Sequence, residues 1–316
     1  MVYPIGVTED NPLAVVMAHM DVVFPDMTEL PLEERDGKIC CPGVGDDTAN
    51  LVALLFVARY LAEQRLLPKE MGVLLVCNSC EEGLGNLKGS RKIFEDYGKR
   101  MREFISLDGG LAAIVNRAVG SHRFEVTVKT EGGHSYSCFG NPNAIAQLAA
   151  VVSDLYQIQV PSYGKTTYNV GVISGGTSIN TIAQEAKMWC EYRSDDVRGL
   201  KFMEEQFASV FAAYQKRGVN LIVELVGERP CGNGVDKTAL DELTAKAAEI
   251  LQTVTGEAPQ IKSGSTDCNI PLSMGVPSVC YGAYDGQGAH TREEYVRKDS
   301  LAMGYRVAFL TILRYF

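Results

Sequence analysis

The chain has 316 residues, of which 46% are hydrophobic, so it is long enough for two domains with substantial cores. Its formal net charge of −9 gives no electrostatic basis for binding nucleic acid, and no apolar run approaches the length that spans a membrane. The segment from Met1 to Pro4 does not begin a signal peptide, and the nine cysteines are odd in number and scattered, which favours reduced thiols. We therefore expect a cytoplasmic protein, with small substrates rather than nucleic acid or membrane as its partners.

The first buried strand is predicted at Leu13 to Met17, a continuous apolar run typical of strands buried on both faces of a sheet. His19 and Asp21 follow it directly. Alternation along an extended chain puts both side chains on one side, so Asp21 can hold the imidazole of His19. Alone, such a pair is more typical of a satisfied polar contact in a loop.

A glycine-rich turn, Gly43 to Asp47, then delivers two adjacent carboxylates to the start of a helix predicted at Thr48 to Glu63. The helix dipole favours negative charge there, so one aspartate can cap the helix while the other binds metal. We interpret Asp46 as a bridge between two metal ions.

Further polar side chains follow the next predicted strands. Glu81 and Glu82 come after Gly72 to Cys77, Asp108 comes after Phe104 to Leu107, and His290 comes after a short strand at Val279 to Tyr281. In an α/β sheet such residues converge at the carboxyl edge of the strands, where ligands bind. Imidazole and carboxylate ligands with one shared oxygen are the side chains that a di-zinc site needs.

The pattern changes near Gly120, where alternation indicates half-exposed antiparallel strands. The predicted elements are, in order, strand His122 to Thr130, helix Asn143 to Gln157, strands Tyr168 to Ser174 and Lys187 to Arg193, helix Leu200 to Lys216 and strand Leu221 to Val226. This order is typical of a ferredoxin-like α+β fold. We therefore expect a catalytic α/β domain at 1–118 and 229–316, with a lid domain inserted at 119–228. In the last part, helices are predicted at Asp236 to Thr255 and Ser300 to Tyr315, and a polar loop at Ser263 to Asn269.

An ordered set of short motifs runs along nearly the whole chain. It comprises AHMD at Ala18 to Asp21, GVGDD at Gly43 to Asp47, CEEG at Cys80 to Gly83, SLDGG at Ser106 to Gly110, GGHS at Gly132 to Ser135, GGTSIN at Gly175 to Asn180 and GAHTREEYV at Gly288 to Val296. Each motif is weak alone, whereas the ordered set is highly specific. With it the chain resembles the zinc-dependent exopeptidase and aminoacylase family, which includes tripeptidase T, carboxypeptidase G, aminoacylase and succinyl-diaminopimelate desuccinylase.

The resemblance implies a catalytic domain with a central mixed sheet flanked by helices, and a site for two divalent ions. Zn²⁺ is expected, with Mn²⁺ or Co²⁺ accepted by the same ligands. The implied ligands are His19, Asp46 and Asp108 for one ion and Asp46, Glu82 and His290 for the other. Glu81 is the implied general base, and Asp21, which can hold the imidazole of His19, is counted among the catalytic residues.

Residues of the lid and of one later loop are implied to meet the substrate. His134 would donate to the developing oxyanion, often across a dimer interface. Asn180 and Arg193 would hold the substrate, and the planar fork of the arginine suits a carboxylate. Gly264 and Ser265 resemble the family's substrate loop. A surface histidine and a surface salt bridge are the alternative interpretations of His134 and Arg193.

Assembly and substrate are expected from the same resemblance. The predicted helix Asn143 to Gln157 has only one small sheet to cover, and its apolar stripe is wider than that contact requires. The surplus favours a homodimer through the lid. The SLDGG form and the loop at Ser265 look most similar to the tripeptidase T-like branch, so we expect hydrolysis of a short peptide with a free terminus. An N-acyl amino acid deacylase is the alternative, and a non-catalytic zinc-binding protein on the same fold is the alternative from another class.

The chain departs from the family in two places. Thr48 stands where relatives usually carry lysine after the two aspartates, which alters nearby charge and removes no ligand. Relatives also have a substantial segment before the first buried strand, so we expect a helix and one or more strands to be missing here.

Overall fold

The computed structural model describes residues 1–24 and 28–316 and divides the chain into two compact units. The first comprises Met1–Ala118 and Gly232–Phe316, and the second comprises Val119–Cys231. No helix within the described residues is both long enough and apolar enough to cross a membrane.

The strands, β1 to β17 in chain order, are Val2–Ile5, Leu13–His19, Glu33–Arg35, Lys38–Cys40, Gly72–Asn78, Met101–Leu107, Ala113–Ala118, Gly120–Lys129, Gly133–His134, Thr166–Gly175, Thr181–Ile182, Glu185–Ser194, Leu221–Arg229, Gln260–Gly264, Ser278–Tyr281, Gly286–Gln287 and Tyr295–Arg297. The helices, α1 to α7, are Asn50–Gln64, Lys88–Tyr97, Ala144–Leu155, Val197–Lys216, Lys237–Thr255, Asn269–Ser273 and Lys298–Leu313. An irregular helical turn, Val44–Ala49, precedes α1, and a 3-10 turn, Gly98–Arg100, follows α2.

The first unit is built on a seven-stranded sheet in the order β1-β5-β2-β6-β15-β7-β14. Strands β5, β2, β6 and β15 run parallel, so their carboxyl ends share one edge. Every residue of β2 and β5 is buried, and alternate side chains enter two cores on opposite faces. Helices α1, α5 and α7 cover one face, and α2 and α6 the other. The prediction of a mixed α/β catalytic domain is confirmed.

The second unit has a four-stranded antiparallel sheet in the order β10-β12-β8-β13. Buried side chains of α3 and α4 pack with those of the sheet in one core, including Leu148, Met188 and Phe207. This is the ferredoxin-like arrangement that the sequence predicts.

One prediction about local structure needs correction, and one helix was not predicted. The polar loop expected at Ser263 to Asn269 is shorter, because Gln260–Gly264 pairs with β7 as an exposed edge strand and Asn269 begins α6. The sequence analysis also missed α2, a short and mostly polar helix whose large apolar side chains, Ile93, Phe94 and Tyr97, all lie in its second half and pack on the core.

Candidate metal centre

His19 ends β2, and its side chain is only 1% exposed. Its Nδ1 lies 3.0 Å from the backbone oxygen of Asp21, so an Nδ1–H can donate to that carbonyl and leave Nε2 available. The expected pairing with the carboxylate of Asp21 is looser, at 3.7 Å. That carboxylate instead accepts the backbone N–H groups of Glu81 and Glu82, at 3.3 and 2.9 Å. Asp21 therefore orients three candidate site residues, one through its main chain and two through its side chain.

Asp46 lies between two imidazoles. Its Oδ1 is 3.0 Å from Nε2 of His19, and its Oδ2 is 3.0 Å from Nε2 of His290. The same nitrogen of His290 is 3.2 Å from Oε1 of Glu82. Each oxygen of one carboxylate thus faces a different nitrogen ligand, which is the arrangement that a bridging carboxylate requires.

The neighbouring Asp47 makes structural hydrogen bonds instead of facing the imidazoles. Its Oδ2 accepts the backbone N–H of His19 at 2.8 Å, and its Oδ1 accepts the side-chain amide of Asn50 at 2.6 Å. The oxygen of the Asn50 amide in turn accepts the backbone N–H of Ala283 at 2.6 Å. Asp47 is fully buried and ties the end of β2 to the start of α1, and the peptide that joins it to Asp46 is cis.

Among the residues that the structure describes, three overlapping groups of side chains are close enough to hold ions. Within each group, one ligand atom per residue lies within 4.8 Å of the others. The groups are His19, Asp46, Asp47 and Asp108; His19, Glu81 and Glu82; and Asp46, Glu82 and His290. The structure therefore brings together the five expected ligands, the expected base Glu81, and Asp21.

Glu81 and Glu82 lie in a tight loop after β5. Cys80, Asn86 and Leu87 all have positive φ, at 68°, 61° and 56°. The loop closes on itself, because the N–H of Leu87 donates to the oxygen of Cys80 at 2.9 Å. This closure presents both carboxylates at the sheet edge.

The electrostatics of the group follow from its burial. Burial alone would lower the pKa of His19, but its hydrogen bond to Asp46 and nearby carboxylates raise the pKa to about 11. Hydrogen bonds to Asp46 and Glu82 raise the pKa of His290 to about 10. Burial and the charge of Asp46 raise the pKa of Asp108 to about 7. Carboxylates this concentrated need cations, which the imidazolium groups supply when no metal is bound.

The residues present fit two divalent ions. The donors are imidazole nitrogens and carboxylate oxygens, which suit zinc, and Asp46 faces both imidazoles at hydrogen-bond distance. When metal binds, it takes the place of the protons that the imidazoles carry.

The expected substrate residues lie in several places. Within the second unit, His134 and Asn180 are neighbours, because the N–H of Ser135 donates to the backbone oxygen of Asn180 at 2.9 Å. His134 is exposed. Arg193 is near the carboxyl end of β12, where it donates twice to Glu191. The structure therefore separates Arg193 from the other two lid residues.

Gly264 and Ser265 belong to the first unit. Gly264 ends β14 beside Ala118 of β7, and Ser265 follows it. Two residues further on, the fully buried carboxylate of Asp267 accepts the side-chain amide of Asn78 at 2.8 Å, and Asn78 lies beside His19 in the sheet. This contact ties the loop to the carboxyl edge.

Sequence reasoning missed Glu294, which lies near the carboxylate group and is 2% exposed. Its carboxylate accepts backbone N–H groups of the Gly43–Asp47 turn. Two signals were present: Glu294 lies in the motif GAHTREEYV, and it alternates with the buried Val296, whereas the adjacent Glu293 is exposed.

Comparison with known proteins identifies the family. The profile of Peptidase family M20/M25/M40 matches residues 15–314. Acetylornithine deacetylase from Myxococcus xanthus is 26% identical over 307 residues, which cover 90% of this chain and 76% of that protein.

Solved structures share the fold. A tripeptidase from Staphylococcus aureus has a TM-score of 0.75 at 23% identity, covering 98% of this chain and 83% of that chain. The Bacillus subtilis YXEP protein, described as a dinuclear metal binding peptidase, has a TM-score of 0.64 at 17% identity, covering 99% and 84%. With the family profile spanning both units and a carboxylate–imidazole cluster at the sheet edge, the chain belongs to Peptidase family M20/M25/M40 and is a hydrolytic enzyme for which metal dependence is expected.

Proposed function

We propose that this enzyme hydrolyses an amide bond of a short peptide with a free terminus, using two divalent ions, with zinc as the expected metal. The observation that carries the proposal is the Asp46 carboxylate, with one oxygen 3.0 Å from each of two imidazoles. The dinuclear description of the B. subtilis relative supports the metal count.

The residues that would hold the ions are His19, Asp46 and Asp108 on one side and Asp46, Glu82 and His290 on the other. When bound, the metals polarise a carbonyl oxygen and lower the pKa of an attacking water. Asp47 and Asp21 orient these ligands through the hydrogen bonds described above.

Glu81 is the proposed general base. Its side chain is buried, and its backbone N–H is held by Asp21, so its carboxylate is presented beside His19 and Glu82. It would take the proton of the attacking water and deliver it to the departing amine, which is proton transfer by one positioned group.

The remaining candidate residues would bind the substrate. We assign His134 to the developing oxyanion, Asn180 and Arg193 to substrate binding, and Gly264 and Ser265 to the loop that meets the substrate from the first unit. The side chain of Arg193 is 36% exposed, which leaves it accessible to a carboxylate that competes with Glu191.

A homodimer through the lid is part of the proposal. Helix α3 leaves Ile145 and Tyr156 exposed by 44% and 48%, and the edge strand β10 exposes Val172 and Ile173 by 57% and 55%. The hydroxyl of Tyr156 accepts the N–H of Val170, which joins the carboxyl end of the helix to this strand. Such an exposed apolar surface favours a two-fold contact in which the same patch meets itself.

We place the protein in the cytoplasm, since all nine cysteines are free thiols.

The second candidate is an N-acyl amino acid deacylase. One observation favours it, because the acetylornithine deacetylase shares 26% identity, more than the tripeptidase structure shares. A non-catalytic zinc-binding protein is the remaining alternative, and the buried Glu81 argues against it, since a protein that only binds metal has no use for a base.

One assay separates the three. The purified protein is incubated with di- and tripeptides and with N-acetyl and N-succinyl amino acids, with and without added zinc, and released amine is measured. Release from peptides supports the first function, release from acyl amino acids alone supports the second, and no release from protein that holds zinc supports the third.

A further inference from the structure

Glu294 holds the turn that carries Asp46. Its Oε2 accepts the backbone N–H of Gly43 at 2.6 Å, and its Oε1 accepts those of Gly45 and Asp46 at 2.9 and 2.8 Å. Its own backbone oxygen accepts the N–H of Cys41 at 3.1 Å. Three amides that point at one carboxylate make a small anion-binding nest.

The two glycines of the turn have no side chains that could hold it in place. Gly43 has a φ of 76°, and a Cβ on it would meet Val22 at 2.4 Å. A Cβ on Gly45 would meet the ring of Tyr284 at 2.6 Å. Both positions therefore require glycine, and glycine offers only its backbone to a partner.

The third amide belongs to the residue that matters most. The N–H of Asp46 is bound by Glu294, while its carboxylate reaches His19 and His290. We propose that Glu294 is a positioning residue, which fixes the Gly43–Asp46 turn so that the Asp46 carboxylate stands between the two metal positions. The inference depends on the proposed function in one respect only, which is that the Asp46 carboxylate is a ligand of both metal ions.

The chemistry of the nest explains why a carboxylate is needed. A carboxylate has acceptors on both oxygens, whereas the amide of a glutamine has one acceptor oxygen and an NH₂ group that would face an N–H donor. Glu294→Gln can therefore keep the bonds to Gly45 and Asp46 only by losing the one to Gly43. Glu294→Ala loses all three and leaves the amides buried without a partner.

A second carboxylate provides the matched control. Glu103 is also largely buried, and it accepts hydrogen bonds from Arg314 and Tyr315. It lies near the start of β6, five residues before Asp108, so it is remote from the turn. Glu103→Gln perturbs a buried network without touching the site, and Glu293→Gln removes an exposed charge next to Glu294.

The test measures zinc affinity by competition with a chromophoric chelator, and backbone amide exchange in the metal-free protein. Glu294→Ala is expected to weaken zinc binding by about 10–100-fold, as loss of an orienting partner does elsewhere, and Glu294→Gln by less. In both variants, the amides of the Gly43–Asp46 turn should exchange faster than in the parent. Glu103→Gln should lower the melting temperature and leave zinc affinity and exchange of the turn amides unchanged. Glu293→Gln should change neither zinc affinity nor amide exchange.

Unchanged zinc affinity in folded Glu294 variants would overturn the inference, and so would a loss of affinity matched by Glu103→Gln. If Glu294→Ala does not fold, Glu294→Gln decides, and unchanged turn exchange in that variant also refutes it. If the parent protein binds no zinc, the proposed function fails, while amide exchange in the metal-free protein still tests whether Glu294 holds the turn.

Discussion

The two histidines that contact Asp46 are held in opposite ways. His19 is at the end of a strand buried on both faces and is 1% exposed, whereas the side chain of His290 is 59% exposed and its backbone φ is 67° in a turn. Both imidazoles nevertheless lie 3.0 Å from the same carboxylate.

The difference indicates that the site has a half fixed by the core and a half completed by a surface turn. On the His19 side, Asp47, Asn50 and Asp21 all hold partners in place through hydrogen bonds. On the His290 side, a single exposed residue closes the group. We expect the fixed half to contribute most to folding stability and to contain the general base. We expect the surface half to control the exchange of metal.

The largest effect is expected from Glu81→Gln, which tests whether the base belongs to the fixed half. The substitution removes a proton acceptor and keeps the buried packing, so turnover should fall by about 10²–10⁴ while both ions stay bound. Turnover and metal content are measured on the same sample. Loss of metal instead would exchange the roles assigned to Glu81 and Glu82.

A pair of alanine variants compares the two halves in the metal-free protein. His19→Ala leaves the Asp46 carboxylate without its buried partner and should lower the free energy of unfolding by about 3 kcal/mol or more. The imidazole of His290 is 59% exposed, so solvent screens its ion pairs with Asp46 and Glu82, and His290→Ala should cost less than His19→Ala. Urea unfolding measures both, and equal losses would refute the division into a fixed and a surface half.

Metal removal should proceed in two steps. Because one ligand of the second ion is an exposed side chain, a mild chelator should remove that ion first, with roughly a tenfold difference in affinity between the ions. Metal content is followed during titration of the zinc-loaded protein. In His290→Ala the weaker step should disappear, and a single step in the parent protein would contradict the comparison.

The smallest effect concerns His134, another exposed histidine. Inactive His134→Ala and inactive Glu81→Gln proteins are mixed under conditions that exchange subunits. If His134 acts across a two-fold interface, mixed dimers contain one intact site, and about a quarter of the parent activity should return. A monomer by sedimentation, or no recovery despite proven exchange, would place His134 in its own subunit or outside catalysis.

The sequence predicts the strands of the first unit well because burial on both faces leaves a continuous apolar run. Leu13 to Met17 is such a run, and the observed β2 extends it only to His19. The polar α2 and the exposed edge strand β14 have no comparable pattern, so they were missed. Exposure of this kind is set by where an element lies in the fold, which the local sequence does not encode.

Within the candidate site, the sequence identifies the side chains better than the contacts between them. Asp21 was expected to hold His19 through its carboxylate, and its carbonyl oxygen is the nearer partner. Glu294 and Glu293 are chemically identical neighbours, and only the fold buries one of them. Hydrogen bonds to backbone amides depend on turn geometry, so composition and spacing could not have revealed them.

In the loop that presents Glu81, selection for fast turnover and selection for a stable folded chain would favour different residues. Cys80, Asn86 and Leu87 adopt left-handed backbone conformations, each of which costs a residue other than glycine about 1 kcal/mol. Replacing Cys80 with glycine would relieve that strain and make the folded chain more durable. It would also loosen the backbone next to the base. A lineage living at high temperature would gain from that change, whereas one that depends on rapid turnover would be expected to retain the strained residue.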